Sequence, residues 1–304
     1  MKVVSFSDEH QTGLLSDKDL SQFRRDGYVV VPSLLGSSDL ETINATVEEL
    51  AEQARQLGDQ QEILEWEPEQ VDGQHVPRRV YRPYDQHVAF RDLAEEPRIL
   101  DRIVSLIGPS FDLHHSKLNM KPPRVGSVVH WHQDLAYFPH TNDDLVTTLV
   151  YLDDATEENG CLQVLPGHHQ HYFDHFTSDG NFAGMITEDL NFDRVGEPKP
   201  LPAPAGSVIF MHCILPHSSL PNGSDKPRRT LIYEYRAADS FPIYFGRRTE
   251  SELARPLRGE RARFARFGGP APLIPKEFET SSLYALQAEA LQRQEDGKGI
   301  GRSD

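Results

Sequence analysis

The chain has 304 residues, 38% of them hydrophobic and 26% charged, with 31 Lys+Arg against 47 Asp+Glu and a formal net charge of −16. That length and apolar content support a sizeable core and exclude a disordered chain, while the negative charge speaks against nucleic acid or an anionic membrane as partner. No apolar run approaches the ~18 residues of a membrane span and the opening MKVVSFSDEHQTG lacks the pattern of a signal peptide, so a cytoplasmic location is expected.

The first 110 residues read mostly as helices. Ser16 followed by Asp17 and Asp19 is an N-cap with an acidic first turn, and Gly27 is placed to end that helix. Tyr28 to Val31 reads as a short strand stopped by Pro32. Leu40, Ile43, Val47 and Leu50 recur at helical spacing, as do Ile99, Leu100, Ile103, Val104 and Ile107 ahead of Gly108. From about residue 111 the texture changes to short apolar or alternating runs at 111–121, 126–134, 145–152, 161–165, 206–213 and 229–236, separated by Pro, Gly, Asn and Asp. Many short strands without intervening crossover helices indicate an antiparallel sandwich or barrel.

The expected architecture is mainly β with flanking helices: a single domain over 1–304, with a helical layer over 1–110, a jelly-roll core of double-stranded β-helix (cupin-like) type over 111–240, and a C-terminal extension over 241–304. The stretch 167–200, with four histidines, has the length of a lid or binding segment. Cys161 and Cys213 match neither a disulfide framework nor a zinc spacing and read as buried thiols. The tail from about 286 is polar and expected to fray.

His132-Gln133-Asp134 falls on a predicted strand, where side chains two apart share a face, so His132 and Asp134 can approach one ion. A third ligand would complete the two-histidine, one-carboxylate set that holds iron(II) and leaves positions open. His130 shares that face, so a His130/His132 pair is an alternative on geometry. Downstream, the strand Gly206 to Phe210 leads to His217, Ser218 and Ser219, then to Asn222, a turn, and Arg228-Arg229. A histidine followed eleven residues later by an arginine suits a chelated dicarboxylic keto acid, whose far carboxylate a guanidinium grips through two parallel hydrogen bonds. Arg229 should face the other way, and Ser219 offers a hydroxyl.

These residues resemble the phytanoyl-CoA dioxygenase-like 2-oxoglutarate oxygenases. Lys121-Pro122-Pro123, the run His132 to Pro139 (HQDLAYFP), Asn159-Gly160-Cys161-Leu162 with Leu165-Pro166-Gly167-His168, and Gly206 to Arg229 occur in the family's order; the likeness covers about 17 to 240. The resemblance implies iron(II) held by His132, Asp134 and His217, with 2-oxoglutarate as co-substrate, O₂ as oxidant, and succinate and CO₂ as by-products. It implies Arg228 and Ser219 for the far carboxylate, with His130 and His212 as neighbours. Lys117 and Asn119 are implied as further 2-oxoglutarate contacts, and strand parity leaves Lys121 open beside them. Family relatives that halogenate replace the ligand Asp by a small residue; Asp134 is present, so hydroxylation of a C–H bond of a small organic substrate is expected. The alternatives are a cupin-like metal enzyme without 2-oxoglutarate, which gives Arg228 no role, and a non-catalytic metal-binding protein of the same fold.

The substrate stays open at this stage. Seven arginines between 247 and 266 against three glutamates could meet an anionic substrate or form a solvated helix. Tyr137, Phe138 and His140 are candidates for substrate contact or for core.

Overall fold

The computed structural model describes residues 13–58, 63–68, 75–243, 255–270 and 283–295. Helix α1 (Asp17–Asp26) begins at a capping box in which Ser16 Oγ accepts from the Asp19 N–H, and ends at Gly27, whose φ of 82° few side chains tolerate. Strand β1 (Tyr28–Val31) follows, then α2 (Ser37–Leu57), whose Ile43, Val47, Leu50 and Ala54 form one buried stripe.

The first 110 residues are less helical than their sequence suggests. Two more strands, β2 (Leu64–Trp66) and β3 (Pro77–Tyr81), precede the short helices α3 (Pro83–Gln86) and α4 (Val88–Ala94) and then α5 (Pro97–Ile107). Charge disguises β3: Arg78 and Arg79 interrupt its apolar pattern, yet both are buried. The remaining strands are β4 (Phe111–Lys121), β5 (Val129–His132), β6 (Leu145–Tyr151), β7 (Leu162–Val164), β8 (Lys199–Pro200), β9 (Val208–His212), β10 (His217–Ser219), β11 (Arg228–Ala237) and β12 (Arg255–Arg258), with the short helix α6 (Phe192–Val195) ahead of β8 and α7 (Leu283–Glu295) after β12.

All the pairings are antiparallel and build two sheets, a large one ordered β1-β9-β6-β11-β4-β3-β2 with β12 also on β4, and a small one ordered β5-β10-β7-β8. The large sheet is covered on both faces, which is why its strands read as nearly continuous apolar runs. One face, with Leu118, Met120, Leu231, Tyr233 and Tyr235, packs on the helices; the other, with Leu149, Tyr151, Ile209 and Ile232, meets Leu162 and Val164 of the small sheet. Burying each such aliphatic side chain contributes about 1.5–3 kcal/mol, so these two contact layers hold the sheets at fixed spacing.

Glycine 160 is fixed by close approach. It has φ +74°, and a Cβ there would lie 2.2 Å from the Leu220 carbonyl oxygen. Asn159 shapes the same turn through the Thr156 N–H and the Asp154 carbonyl. This motif therefore supports the segment leading into β11 and carries no chemistry of its own.

Two expectations are corrected, and the placing of a third segment is seen. The tail does not fray at 286, because α7 buries Leu283, Tyr284, Leu286, Gln287 and Ala290. The arginine-rich stretch is no helix from 255 to 266; it pairs as β12 and then runs irregularly, with Arg258 on Asp101 and Arg266 on Asp144 and Asp239. Arg247 and Arg248 lie outside the described residues. The long segment 167–200 is packed, with Phe182 against the Tyr137 ring and the Ile186 N–H on the Trp131 carbonyl.

Candidate active site

The small sheet places the two imidazoles. His132, the last residue of β5, is the register partner of His217, the first of β10, and their ring centroids stand 4.0 Å apart. Strand pairing stops at His132, but Gln133 stays extended (φ −124°, ψ 131°), so Asp134 falls on the His132 side, as alternation indicates, and there opens a single 3₁₀ turn, Asp134–Ala136. Its Oδ1 lies 3.9 Å from His132 Nε2 and 3.8 Å from His217 Nε2. These three form the only cluster of potential metal ligands among the described residues, and all three are buried. His130 is not part of it; its carbonyl oxygen instead receives His132 Nδ1.

Both rings are held in the tautomer a metal needs. His132 Nδ1 donates to the His130 carbonyl at 2.8 Å and His217 Nδ1 to the Leu215 carbonyl at 2.9 Å, leaving each Nε2 as a lone-pair donor facing Asp134. Burial pushes both imidazoles below their ordinary pKa, so they stay neutral. Burial works against the Asp134 carboxylate, yet the nearby Lys117 ammonium, helped by the Thr147 hydroxyl, outweighs it and holds the group below its usual range. Neutral imidazoles and an ionised carboxylate, with no thiolate among them, fit iron(II).

A cavity of about 560 Å³ extends from this cluster between the sheets. On its β4 wall stand Lys117, Asn119 and Lys121, as parity indicates; on its β11 wall stand Arg228, Thr230 and Ile232. Lys117 lies at the metal end, 3.0 Å from Glu234 and 3.7 Å from Asp134. Arg228 faces Lys121 across the β4–β11 ladder, four residues or roughly 13 Å along the strand from Lys117.

Arg228 is buried, its Nη1 donates to Thr230 Oγ1 at 2.8 Å, its Nε has no partner, and no carboxylate among the described residues pairs with it. Arg229 takes the opposite direction and forms a two-pronged pair with Asp153. Lys121 donates to the Ser219 carbonyl at 3.3 Å and to that of Leu220; burial, with the Arg228 charge added, pushes its ammonium down to about 6. An uncompensated guanidinium in a closed space is costly unless an anion joins it. Ser219 lines the same end, and Asn222 bonds to the Lys121 and Lys226 carbonyls to shape the turn into Arg228.

Sequence reasoning missed several residues here. Thr147 on β6 donates to Asp134 Oδ2 at 2.7 Å. Glu234 had a readable signal, an acid within an apolar strand on the same face as Arg228. Gln133, fully buried, ties the His171 and Ile214 carbonyls and the Phe173 N–H together. From α7, Leu283 and Tyr284 wall the cavity, while Gln287 binds the His130 N–H and the Gly184 carbonyl. Of the aromatic candidates, Tyr137 packs edge-on to His132 and Phe138 on His114 and His115, while the buried His140 packs on His114.

A buried His-Asp-His cluster between the sheets of a jelly roll, with a guanidinium lacking a counter-ion at the far end of the same cavity, defines a 2-oxoglutarate-dependent non-haem iron dioxygenase. The chain belongs to the phytanoyl-CoA dioxygenase (PhyH) family, whose model matches residues 23–230. Among curated relatives, a probable alpha-ketoglutarate-dependent hypophosphite dioxygenase from Stutzerimonas stutzeri is 33% identical over 222 residues, covering 71% of this chain and 77% of that one. The methylphosphonate hydroxylase of Gimesia maris is 28% identical over 223 residues, covering 73% and 81%. Among solved structures, the alpha-ketoglutarate-dependent carbocyclase SnoK from nogalamycin biosynthesis superposes with a TM-score of 0.62 at 25% identity, over 81% of this chain and 94% of that one. Iron-bound EctD from S. alaskensis, at 22% identity over 90% of each chain and a TM-score of 0.62, shares the fold. The enzyme uses iron(II), 2-oxoglutarate and O₂. No helix among the described residues is long and apolar enough to cross a membrane.

Proposed function

We propose that the enzyme hydroxylates an unactivated C–H bond of a small organic substrate, with His132, Asp134 and His217 as iron ligands and Arg228, helped by Ser219, as the anchor of 2-oxoglutarate. The observation that carries this reading is the unpaired, buried Arg228 at one end of the cavity whose other end holds the ligand cluster. Asn119 sits between the two ends and Lys117 beside Asp134, so both would border the keto acid, as would Lys121 at the Arg228 end. Strands on both sides of residue 110 share the large sheet, which supports one catalytic domain.

Iron(II), when bound, would supply the oxidising chemistry, with O₂ as oxidant and 2-oxoglutarate as the co-substrate converted to succinate and CO₂. The chain's own part is orientation and exclusion of water. Arg228 fixes the far carboxylate through two donors; Thr147 and the two backbone carbonyls fix which ligand atoms face inward. Leu149, Leu162 and Ile232 add apolar walls to the cavity and so help to exclude water from it. The relatives' named substrates, hypophosphite and methylphosphonate, are small.

The test is anaerobic titration of the purified protein with iron(II) and 2-oxoglutarate, followed by the metal-to-ligand absorption band of the chelate. A saturable band is expected, and Arg228→Ala should weaken 2-oxoglutarate roughly 30- to 150-fold, the loss of a charge-assisted bidentate contact. Folded protein without a band, or an unchanged affinity in Arg228→Ala, overturns the reading.

A further inference from the structure

Two cations meet at the far end of the cavity, and only one of them is obliged to stay charged. Lys121, the last residue of β4, is the register partner of Arg228, the first of β11, and both side chains line the cavity. Lys121 is 1% exposed, and its Nζ reaches across to the end of the small sheet, where the Ser219 and Leu220 carbonyl oxygens receive it. It forms no ion pair among the described residues. Two carbonyls use two N–H donors, which a neutral amine already supplies; a third donor exists only when the ammonium forms.

Groups from several elements bear on that proton. From β11 the Arg228 guanidinium repels it, and from the segment after β2 the buried Glu67 attracts it, with Cys161 just ahead of β7 as the remaining titratable neighbour. Glu67 accepts from the Ser127 hydroxyl through Oε2, and burial raises its own carboxyl. Tyr151 of β6 and Tyr284 of α7 stand near Arg228, while Lys117, the nearest cation on β4 itself, is paired with Glu234. Burial and the Arg228 charge outweigh Glu67 and push the Lys121 ammonium down to about 6. A guanidinium cannot shed its proton, so the repulsion in the empty site is relieved on Lys121. A carboxylate arriving at Arg228 places an opposite charge beside both cations and reverses that balance.

Resting on the reading of the site given above, we propose that Lys121 is a second anchor of 2-oxoglutarate, taking up a proton from solvent as the far carboxylate docks on Arg228, so that the enzyme's hold on its co-substrate weakens as pH rises. The amine lone pair accepts the proton, and the third N–H so created donates to the carboxylate. Because the group binds its proton more weakly in the empty site than in the loaded one, binding takes up a proton between those two values, and affinity falls with pH across that window.

The experiment follows 2-oxoglutarate binding to the anaerobic, iron(II)-saturated enzyme by the chelate band, with calorimetry in two buffers of different ionisation enthalpy to count protons. Affinity should fall on the order of 10- to 100-fold between about pH 6.5 and pH 8.5, with uptake of about one proton near pH 7.5. Lys121→Met should bind more weakly at the acid end, with a nearly level profile and no uptake. Lys121→Arg, permanently charged, should give a level profile without uptake and serves if the Met variant does not fold. Glu67→Gln should keep the uptake. A parent whose affinity is level with pH and whose binding takes up no proton overturns the proposal. So does an uptake that persists in the Lys121 variants, or one that disappears in Glu67→Gln, which would place the proton on Glu67. No band at any pH overturns the reading of the site itself and this proposal with it, so the two failures are seen apart.

Discussion

The Thr147 hydroxyl donates to Asp134 Oδ2 at 2.7 Å, which leaves Oδ1 as the carboxylate oxygen nearest both imidazoles. Thr147 lies on the large sheet and Asp134 on the turn after the small sheet, so this bond spans the two layers that meet at the metal.

Thr147→Val keeps the shape and removes the donor. Partners of this kind typically contribute 10- to 100-fold to metal affinity, so iron(II) binding should weaken by roughly that factor while Thr147→Ser stays close to the parent. Anaerobic iron titration at saturating 2-oxoglutarate measures it. Equal affinities for Val and Ser would show that the hydroxyl does not orient the carboxylate.

Gln133 is expected to act on stability more than on chemistry. Its side chain satisfies three backbone groups on two separate segments, 171–173 and 214, all close to the ligands. Gln133→Leu leaves those groups buried without partners, at about 1–3 kcal/mol each before relaxation. A loss on the order of 3 kcal/mol in denaturant unfolding of the metal-free protein is the expected outcome. A change below about 0.5 kcal/mol would mean the loops find other partners.

The parts of the fold most legible in the sequence were those where one physical signal dominated. Ser16 and Gly27 bracket α1 as capping chemistry dictates, and β4, β6, β9 and β11 appear as the apolar runs marked them. Strand parity put Lys117, Asn119 and Lys121 on one wall, and the structure has all three lining the cavity. Where several forces compete, the sequence was harder to read. Arg78 and Arg79 look like surface residues, yet ion pairing, stacking and an amide carry them into the interior. Helix α7 was hidden by its glutamines and glutamates, although Leu283, Leu286, Gln287 and Ala290 recur at helical spacing and are the residues it buries. Asp134, two residues on from His132 across an extended Gln133, approaches the same point as alternation indicates; what the pattern does not reveal is the 3₁₀ turn that begins at it.

Helix α7 closes the cavity, so weakening it should uncouple the reaction. Tyr284 is buried, lines the cavity and covers Arg78 and Arg79. Tyr284→Ala removes that cover and admits water near the metal end. The expected result is more 2-oxoglutarate consumed per substrate oxidised, by several-fold, with the chelate band still formed. Comparing succinate release with product formation checks this, and a ratio unchanged from the parent would place Tyr284 outside the closure.

The pH dependence of the metal-free protein draws on buried groups other than the three ligands. Burial pushes His140, His175 and His212 down to about 4, against an ordinary 6.5. Between those values the unfolded chain binds protons that the folded chain refuses, so folding stability falls as pH drops from 6.5 towards 4. The three groups act in the same direction, each by at most about 1.4 kcal/mol per pH unit. Asp134 adds little in this window, because its folded value is lowered and its contribution is lost only at more acid pH. Lys121 acts on the other side of neutrality. Its ammonium is lowered from 10.5 to about 6, so the unfolded chain again holds the extra proton and stability continues to rise with pH above 6. Thermal melts of the metal-free protein between about pH 4 and pH 9 should therefore show Tm climbing steeply to pH 6.5 and more gently beyond it. Lys121→Met should flatten the alkaline part alone, since it removes the one group assigned to that slope. A parent Tm that is level across the acid window would show that these histidines are protonated within the fold, and the burial argument for all three would fail.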